Sequence, residues 1–355
     1  MDILVVGVNY RTAPIELRER VAFRAEHLAQ AYAELQQNTG LPEALILSTC
    51  NRVEVYAGAP APEEVAPRLL SFLRSRGAFL DEEGQGSFYA YEEAQAIQHL
   101  FRVVSGLDSM VLGEAEILHQ VKQAYERAKG YGATGKVLNA LFQKALNAGK
   151  AVRTHTTIGR GGMSVGTVAI ELAQKIFGEL RPYTVLLLGA GKVSELTLKR
   201  LIARGASRVR IANRSAERAS LLAARYGGER VALDALEEQL IEADIVIASC
   251  SVERPLVTGE HLQRLMPRRH RRPLCLIDLG VPRNIEPSVG RAENVYLFDI
   301  DDLQELVAHH HGQRQQAVGE AQKIIDGKVR HFLAWRQEER SASCIPSASV
   351  LAGAR

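Results

Sequence analysis

The stretch TVLLLGAGKVS, residues 184–194, decides the fold of the second half of the chain. A short apolar run is followed directly by a glycine segment and then by a helical pattern, which is typical of a dinucleotide-binding fold. The first glycine allows a tight turn, the second lets a pyrophosphate approach the backbone, and the helix N-terminus supplies N–H donors. Ser194 replaces the usual third glycine, so helix and strand must pack slightly differently. We expect a cofactor to contact Gly189, Ala190, Gly191, Lys192, Val193 and Ser194; a Rossmann-type domain without a nucleotide is the alternative.

The segments around this stretch predict a doubly wound parallel sheet. Further apolar runs alternate with helical patterns at 208–212, 244–248, 274–278 and 295–298. The second strand ends in Asn213, Arg214 and Ser215, which supply an amide, a guanidinium and a hydroxyl but no carboxylate. NAD sites usually hold an acidic residue at this point, whereas a 2′-phosphate requires cations and neutral donors. The sequence therefore favours NADPH, bound by these three residues.

The first half of the chain is arranged around LILSTCNRVEVY, residues 45–56. Two β-prone runs flank a polar connection, which places Cys50 on a loop between two strands. If the second strand has already begun, Arg52 shares a face with Cys50, and its guanidinium favours the nucleophilic thiolate. The alternative is a buried structural cysteine at a strand end.

The periodicity of the remaining segments predicts an α/β multidomain protein. A strand at 3–9, helices on both sides of the cysteine hairpin, and helical stripes from Tyr91 onward indicate an α+β catalytic domain over 1–155. The helical stripes are interrupted at 105–114, where glycines and polar residues suggest a loop that lines a site. The Rossmann-type domain follows over 156–300, then a long helix over 301–340 and a disordered tail over 341–355.

Bulk composition excludes several classes of protein. The net charge of +3 is too small to indicate nucleic-acid binding by itself, although the basic run 268–272 could touch phosphates or simply be solvated. The four cysteines lie far apart without metal-ligand spacing, and three consecutive histidines at 309–311 would point in different directions on a helix, so we expect no metal. The N-terminus lacks a signal peptide and no apolar run reaches membrane-spanning length, which predicts a cytoplasmic protein.

A hydride-donor domain joined to a loop cysteine suggests one reaction type. A thiolate can attack an activated acyl group, and hydride can reduce the resulting thioester to an aldehyde. Five blocks of the chain carry a resemblance to a known family: STCNRVE at 48–54, HLFR at 99–102, SGLDSMVLGE at 105–114, QVK at 120–122 and GAG at 189–191. Together they resemble the glutamyl-tRNA reductase family, which makes glutamate-1-semialdehyde from glutamyl-tRNA(Glu) at the start of tetrapyrrole (porphyrin) synthesis.

The resemblance implies a role for each matched position. Cys50 is the nucleophile that forms the thioester, and His99 matches an activity-critical histidine near the thiol. The matched substrate-binding positions are Thr49, Asn51, Arg52, Ser109, Glu114, Ala115, Glu116 and Gln120. Without the resemblance, His99 would be interpreted as a satisfied surface histidine, and Glu116 and Gln120, which are one helical turn apart, as a solvated face.

The resemblance also implies partners. The family is homodimeric through a helical domain beyond the long helix, and an aminomutase accepts its semialdehyde product. Because the chain stops at Arg355, we expect that dimerisation domain to be truncated. Two alternatives stay open: an NADP-dependent dehydrogenase of shikimate type, which needs no cysteine nucleophile, and an inactive truncated paralogue that binds tRNA or a partner.

Overall fold

The computed structural model describes residues 1–76, 86–159, 164–270, 272–303 and 315–343, and two separate sheets organise them. The first sheet is antiparallel, with the strand order β2-β3-β1-β4. Its strands are β1 (Asp2–Asn9), β2 (Glu43–Ser48), β3 (Arg52–Ala59) and β4 (Tyr89–Glu92). The helices of this half are α1 (Ile15–Val21), α2 (Leu28–Thr39), α3 (Pro62–Arg76), α4 (Glu93–Val104), α5 (Glu116–Gly130) and α6 (Lys136–His155).

Strand β4 is an element that the sequence did not predict. It has only four residues, pairs only with β1, and leads directly into α4. So short a segment beside a strong helical period is easily taken for part of the helix.

The second sheet confirms the predicted Rossmann-type fold. Its neighbouring strands are all parallel, in the order β10-β9-β8-β5-β6-β7. The strands are β5 (Thr184–Leu188), β6 (Arg208–Ala212), β7 (Glu229–Val231), β8 (Ile245–Ala248), β9 (Leu274–Asp278) and β10 (Val295–Phe298), of which β7 was not predicted. The helices that cover them are α7 (Val165–Phe177), α8 (Lys192–Ala203), α9 (Ala216–Tyr226), α10 (Leu236–Glu242) and α11 (Gly259–Leu265).

The strand order reverses between β5 and β8, and this position fixes where a ligand can bind. The chain moves outward from β5 through β6 and β7 in one direction and from β8 through β9 and β10 in the other. In open parallel sheets the crevice for a ligand lies outside the carboxyl ends of the strands at this switch point. Gly189 and Ser249, the residues that follow β5 and β8, both lie there.

A long helix, α12 (Gln315–Ser343), packs on the first half of the protein. Its buried residues Ala321, Ile325, Val329 and Phe332 belong to the same apolar cluster as the first sheet. Arg336 donates to the backbone carbonyl of Met1 and bonds the carboxylate of Glu93. The sequence predicted this helix as the start of a separate dimerisation domain. In the structure, its described part packs into the apolar core around the first sheet.

Several predictions fall at or beyond the edges of the described ranges. Residues 341–343, predicted as tail, continue α12, whereas 344–355 lie outside the described residues. The same holds for the boundary at 161–163, for 304–314 with its three histidines, and for Cys344. Within the described ranges, none of the helices combines the length and apolar composition needed to cross a bilayer. The compartment and the domain boundaries stay predictions.

Gly7 in β1 has no side chain, so the side chains of the two neighbouring strands can meet over its position. It pairs with Glu54 of β3 on one side and Tyr89 of β4 on the other. A Cβ atom at Gly7 would lie 2.5 Å from the carbonyl oxygen of Val53 and 2.8 Å from Cγ of Glu54. Backbone cannot yield at this point, so only glycine fits.

We expect Gly7→Ala to lower the free energy of unfolding by about 1–3 kcal/mol, the usual cost of overpacking a core. Gly58→Ala is the matched control, because Gly58 also lies within a strand of this sheet but its Cβ would meet its nearest neighbours at 3.4 Å. Urea unfolding of both variants measures the difference. Equal stability of the two variants would contradict this account of Gly7.

Candidate active site

The candidate nucleophile stands at the tip of a tight hairpin. The amide of Thr49 donates to the carbonyl of Arg52 at 2.8 Å, which leaves Cys50 and Asn51 as the two loop residues between β2 and β3. The hydroxyl of Thr49 accepts from the amides of Asn51 (3.2 Å) and Arg52 (3.1 Å). Thr49, predicted to bind substrate, therefore uses its side chain to hold the turn.

Cys50 lies where the half built on the first sheet, which we call the catalytic half, meets the half built on the second sheet, which we call the cofactor half. Its half-buried side chain packs against the apolar cluster of the second sheet, as do Ala190 and Val193 of the glycine segment. Burial raises the pKa of Cys50 to about 12; the charge of Glu114 adds to the rise and the charge of Arg18 opposes it. Without substrate, the group is therefore a thiol at neutral pH.

Arg52 does not activate this thiol as the sequence predicted. Strand β3 begins only at Arg52, so Cys50 is not part of the strand and the shared face does not exist. The buried guanidinium bonds Glu54 Oε1 at 2.6 Å, Asp108 Oδ2 at 3.1 Å and the carbonyl of Asp108. The cation that acts on Cys50 is Arg18 instead. The prediction that Arg52 favours the thiolate therefore loses its geometric basis, because Cys50 precedes the strand that Arg52 begins.

Glu54 is the centre of a buried hydrogen-bond network. Its fully buried carboxylate accepts from Arg52, from the hydroxyls of Tyr56 and Tyr89 (both 2.6 Å), and lies 2.8 Å from Nε2 of His99. Burial alone would raise the pKa of Glu54, but the charge of Arg52, with His99 and Tyr56, holds it well below its usual range. The carboxylate of Glu54 is therefore ionised at neutral pH.

His99 belongs to this network. Its ring packs against the rings of Tyr89 and Tyr91, whose centroids are 5.5 Å and 5.2 Å away. Tyr89 reaches Glu54 across Gly7, because the three residues form one row over β4, β1 and β3. Among the described residues, no hydrogen bond joins His99 to Cys50, so its predicted influence on catalysis would act through Glu54 and the hairpin.

The loop between α4 and α5 closes over the hairpin. Gly113 has a φ of +74°, and a Cβ there would lie 2.0 Å from the carbonyl oxygen of Ile158, so the loop can close only with glycine. Its amide donates to the carbonyl of Gly106 at 3.0 Å, which ties the two ends together. The loop brings Asp108 to Arg52 and buries Ser109 beside the hairpin.

Four predicted substrate residues follow this loop. Burial raises the pKa of Glu114 to about 7, and the nearby Ser109 and Arg52 offset this only in part. Ala115 is exposed at the start of α5, while Glu116 and Gln120 are half-buried one turn apart on it, as their spacing predicted. Glu114 and Glu116 are both electrostatic neighbours of Cys50.

Several buried polar atoms around the hairpin have no hydrogen-bond partner among the described residues. They are Oδ1 of Asn51 and Nε of Arg52, together with Oγ of Ser109, whose hydroxyl also acts on the carboxylate of Glu114; all three side chains are at most 6% exposed. Native proteins leave few buried polar atoms unsatisfied, so such a group of atoms suggests a place that a ligand completes.

The glycine segment has the geometry of a phosphate site. Gly191 precedes α8 and offers no side-chain cap, so the first N–H groups of that helix are free for an anion, and a Cβ at Gly191 would meet nothing within 4 Å. Ser194, in place of the third glycine, is fully buried and its hydroxyl bonds that of Ser249 at 2.6 Å. Ser194 therefore joins α8 to β8, and the exposed side chain of Lys192 pairs with Glu195 at 3.5 Å.

The residues after β6 divide into structural and available groups. The side-chain amide of Asn213 donates to the backbone carbonyl of Ser215. The hydroxyl of Ser215 accepts from the backbone N–H of Arg218 and is the N-cap of α9. Arg214 is exposed and makes no hydrogen bond or ion pair with the described part of the chain. Arg218, missed by the sequence analysis, lines the same groove as Ala190 and Gly191. A signal for Arg218 was available in the sequence, because it lies three residues past the N-cap of a helix in a dinucleotide fold.

Two arginines of the basic run at 268–272, Arg269 and Arg272, stabilise the fold. The buried guanidinium of Arg269 donates to the carbonyls of Leu240, Ile241, Ala243 and Pro273. Arg272 donates to the carbonyls of Ile241 and Glu242. Both arginines thus satisfy the carbonyls at the C-terminal end of α10, where cations are favourable.

The sequence analysis missed Glu54, Asp108, Tyr89 and Arg18. A signal for Glu54 existed, since a carboxylate between Val53 and Val55 in a buried strand must have a partner, and Arg52 and Tyr56 lie on its own face. For Asp108, Tyr89 and Arg18 no local pattern exists, because each reaches the site through the tertiary fold.

Comparisons with known proteins agree with these features. The family model "Glutamyl-tRNAGlu reductase, N-terminal domain" matches residues 6–156, and the model "Shikimate / quinate 5-dehydrogenase" matches residues 171–306. The second match spans the second sheet, so the likeness to shikimate-type dehydrogenases is one of the cofactor half alone.

Relatives match over nearly the whole chain. A glutamyl-tRNA reductase of Desulfitobacterium hafniense is 40% identical over 94% of this chain and 75% of the relative. One of Methylococcus capsulatus is 41% identical over 97% of this chain and 82% of the relative. Among solved structures, a glutamyl-tRNA reductase from Methanopyrus kandleri is 33% identical, with a TM-score of 0.51 over 96% of this chain and 82% of that one.

We expect Glu54→Gln to lower the free energy of unfolding by about 3–5 kcal/mol at neutral pH, because it removes the main partner of a buried guanidinium. Since the folded-state pKa of Glu54 is depressed, its contribution is present above the unfolded-state pKa and lost as pH falls through the folded-state pKa. The gap between parent and variant should therefore narrow in acid. Urea unfolding across pH measures it, with the exposed Glu64→Gln as the control. A constant gap would contradict the assignment.

Proposed function

The chain belongs to the glutamyl-tRNA reductase family, and we propose that it performs the family's reaction through a thioester on Cys50 with hydride from NADPH. This reaction reduces glutamyl-tRNA(Glu) to glutamate-1-semialdehyde, the first step of tetrapyrrole synthesis. One observation carries the mechanistic proposal. Cys50 stands at the tip of its hairpin against the same apolar cluster as Ala190 and Val193 of the glycine segment. A nucleophile and a cofactor segment that pack against one cluster belong to the same packed unit, as hydride transfer to an acyl group on Cys50 would require.

Substrate binding would complete the polar atoms that the fold leaves unsatisfied. Asn51 Oδ1, Arg52 Nε and Ser109 Oγ can pair with the glutamyl group, which carries donors at its amine and acceptors at its carboxylate. Arg52 would offer this single N–H and its charge, since Glu54 and Asp108 hold its other nitrogens. Ala115, Glu116 and Gln120 would extend the surface along the start of α5.

Acyl transfer begins with loss of the Cys50 proton. The thiolate sulfur attacks the ester carbonyl, a C–S bond forms, the C–O bond to the terminal ribose breaks, and the ribose oxygen leaves as a hydroxyl. Glu114, a neighbour of Cys50 with a pKa of about 7, can accept the thiol proton and return it to the leaving oxygen. Bound NADPH supplies the hydride that converts the thioester into the aldehyde and releases the Cys50 sulfur.

The residues of the second sheet fit a dinucleotide with a 2′-phosphate. The uncapped first turn of α8 and the open space at Gly191 suit a pyrophosphate. The exposed guanidinium of Arg214, together with Arg218, suits a 2′-phosphate, because charge-assisted bonds from arginine to phosphate are strong and directional. Asn213 and Ser215 would hold the loop that presents Arg214.

Three further expectations from the family belong to this proposal. They are a homodimer, transfer of the semialdehyde to an aminomutase, and a cytoplasmic location. No contact in the described residues bears on them, and they stay predictions.

Cys50→Ser should abolish glutamyl-tRNA-dependent oxidation of NADPH, because a serine hydroxyl is a far weaker nucleophile without a strong base. The parent should form a covalent glutamyl adduct on Cys50 when NADPH is withheld, detectable by mass spectrometry of the intact protein. Cys250→Ser is the matched control and should keep both properties. Turnover by Cys50→Ser would overturn the thioester route. A parent that binds glutamyl-tRNA but forms no adduct and oxidises no NADPH would support a binding paralogue.

Arg214→Gln should raise the KM for NADPH by about tenfold or more while leaving that for NADH unchanged, since a hydrogen bond to a charged group contributes about 1.5–3 kcal/mol. Arg208→Gln is the control, because Arg208 is exposed at the opposite end of the same strand. Steady-state kinetics with each cofactor measure the effect. An equal rise for both cofactors would show that Arg214 does not contact the 2′-phosphate.

A further inference from the structure

Arg18 is a fully buried cation directly behind the catalytic hairpin. It lies on α1, and its guanidinium is 0% exposed. Nη1 donates to the backbone carbonyl of Cys50 at 2.6 Å, Nε donates to the carbonyl of Ala13 at 3.2 Å, and Nη2 bonds the carboxylate of Asp301. A buried guanidinium is tolerated only where such partners satisfy it, so this position is built for arginine.

Asp301 connects this cation to the cofactor half. It follows β10, the last strand of the second sheet, and its amide donates to Oδ1 of Asp299 at 2.9 Å. Arg18 thus joins three parts of the protein through one planar group: the turn before its own helix, the carbonyl of Cys50, and the end of the cofactor half. A lysine ammonium could not present donors to all three in that fixed arrangement.

A second guanidinium bridges the same two halves without touching the hairpin. Arg283, from the loop after β9, bonds Glu19 at 3.0 Å and Glu16 at 2.9 Å, both on α1. Ile15, the first residue of α1, is buried in the apolar cluster of the second sheet. Helix α1 is therefore one of the elements that contact the cofactor half, and its two bridges can be separated experimentally.

The charges around Cys50 give Arg18 a distinct electrostatic effect. The charges of Glu114, from the loop before α5, and of Glu116, from α5 itself, disfavour ionisation of the thiol, as burial does. From α1, Arg18 is the cation that opposes them. Loss of its charge would leave the thiol with carboxylates as its charged neighbours.

We propose that Arg18 is a positioning residue that fixes the Cys50 hairpin and favours its thiolate when Asp301 of the docked cofactor half holds the guanidinium in place. This inference rests on the proposed role of Cys50 as nucleophile. Arg18 contacts the backbone of Cys50 and acts on the reaction only through that residue.

The test measures the ionisation of Cys50 without tRNA or NADPH. Iodoacetamide reacts with the thiolate, and mass spectrometry of the Cys50 peptide gives its alkylation rate from pH 6 to 10. Arg18→Gln should shift the profile to higher pH and slow alkylation at pH 8 by about tenfold, which corresponds to one unit of pKa. Asp301→Asn removes a carboxylate, which by charge alone would favour the thiolate, so a smaller shift in the same direction as Arg18→Gln reports the loss of Arg18 positioning. Arg18→Lys should restore part of the loss.

Arg283→Gln is the matched control, because it removes an equivalent bridge to α1 that does not touch Cys50. Its alkylation profile should match the parent's. An unshifted profile in both Arg18→Gln and Asp301→Asn would overturn the proposal. So would an equal shift in Arg283→Gln, since docking in general would then be the cause. If Arg18→Gln does not fold, as judged by circular dichroism, Asp301→Asn and Arg18→Lys decide alone.

Failure of the proposed function gives a different result. If Cys50→Ser retained turnover, Cys50 would not be the nucleophile, whereas the alkylation profiles would still report whether Arg18 governs its ionisation. If Cys50→Ser is inactive and Arg18→Gln is unshifted, only the inference about Arg18 fails.

Discussion

The ionised carboxylate of Glu54 is the interaction on which the catalytic half depends. It is fully buried and accepts from a guanidinium and two tyrosine hydroxyls, with the His99 ring at hydrogen-bond distance. A buried charge is costly unless partners surround it, and here those partners come from β3, β4 and α4. The same bonds that satisfy the carboxylate therefore lock the hairpin base, the short edge strand and the helix into one unit.

This arrangement determines which charges remain for chemistry. Arg52, which the sequence suggested as the partner of Cys50, forms ion pairs with Glu54 and Asp108 instead. The cation that acts on the thiol is Arg18, which donates to the carbonyl of Cys50 from α1. Burial keeps Cys50 protonated in the free protein. We infer that the sulfur becomes reactive only once substrate is bound, which would limit its oxidation in the free protein.

The cofactor half obeys simpler rules. Its strands are buried on both faces, its order reverses at β5 and β8, and its glycine segment lies at that reversal. The departure at Ser194 is compensated locally, because its hydroxyl bonds Ser249 and ties the helix to the adjacent strand. The two halves then meet at α1, a short helix whose charged residues carry more of the domain contact than its length would suggest.

The sequence by itself determined the local features: the Rossmann strands and their glycine turn, the hairpin that carries Cys50, the loop at 105–114, and the residue types after β6. These follow from periodicity and turn chemistry, which act over a few residues. Only the tertiary structure decided that Arg52 is held by Asp108, that Tyr89 reaches Glu54 across Gly7, and that α12 packs on the catalytic core. Such pairings depend on which strands become neighbours and how far side chains are buried, and neither is encoded within a short window of sequence. Local sequence therefore determines which residue types form the candidate site, whereas the tertiary fold determines which of their charges lie together.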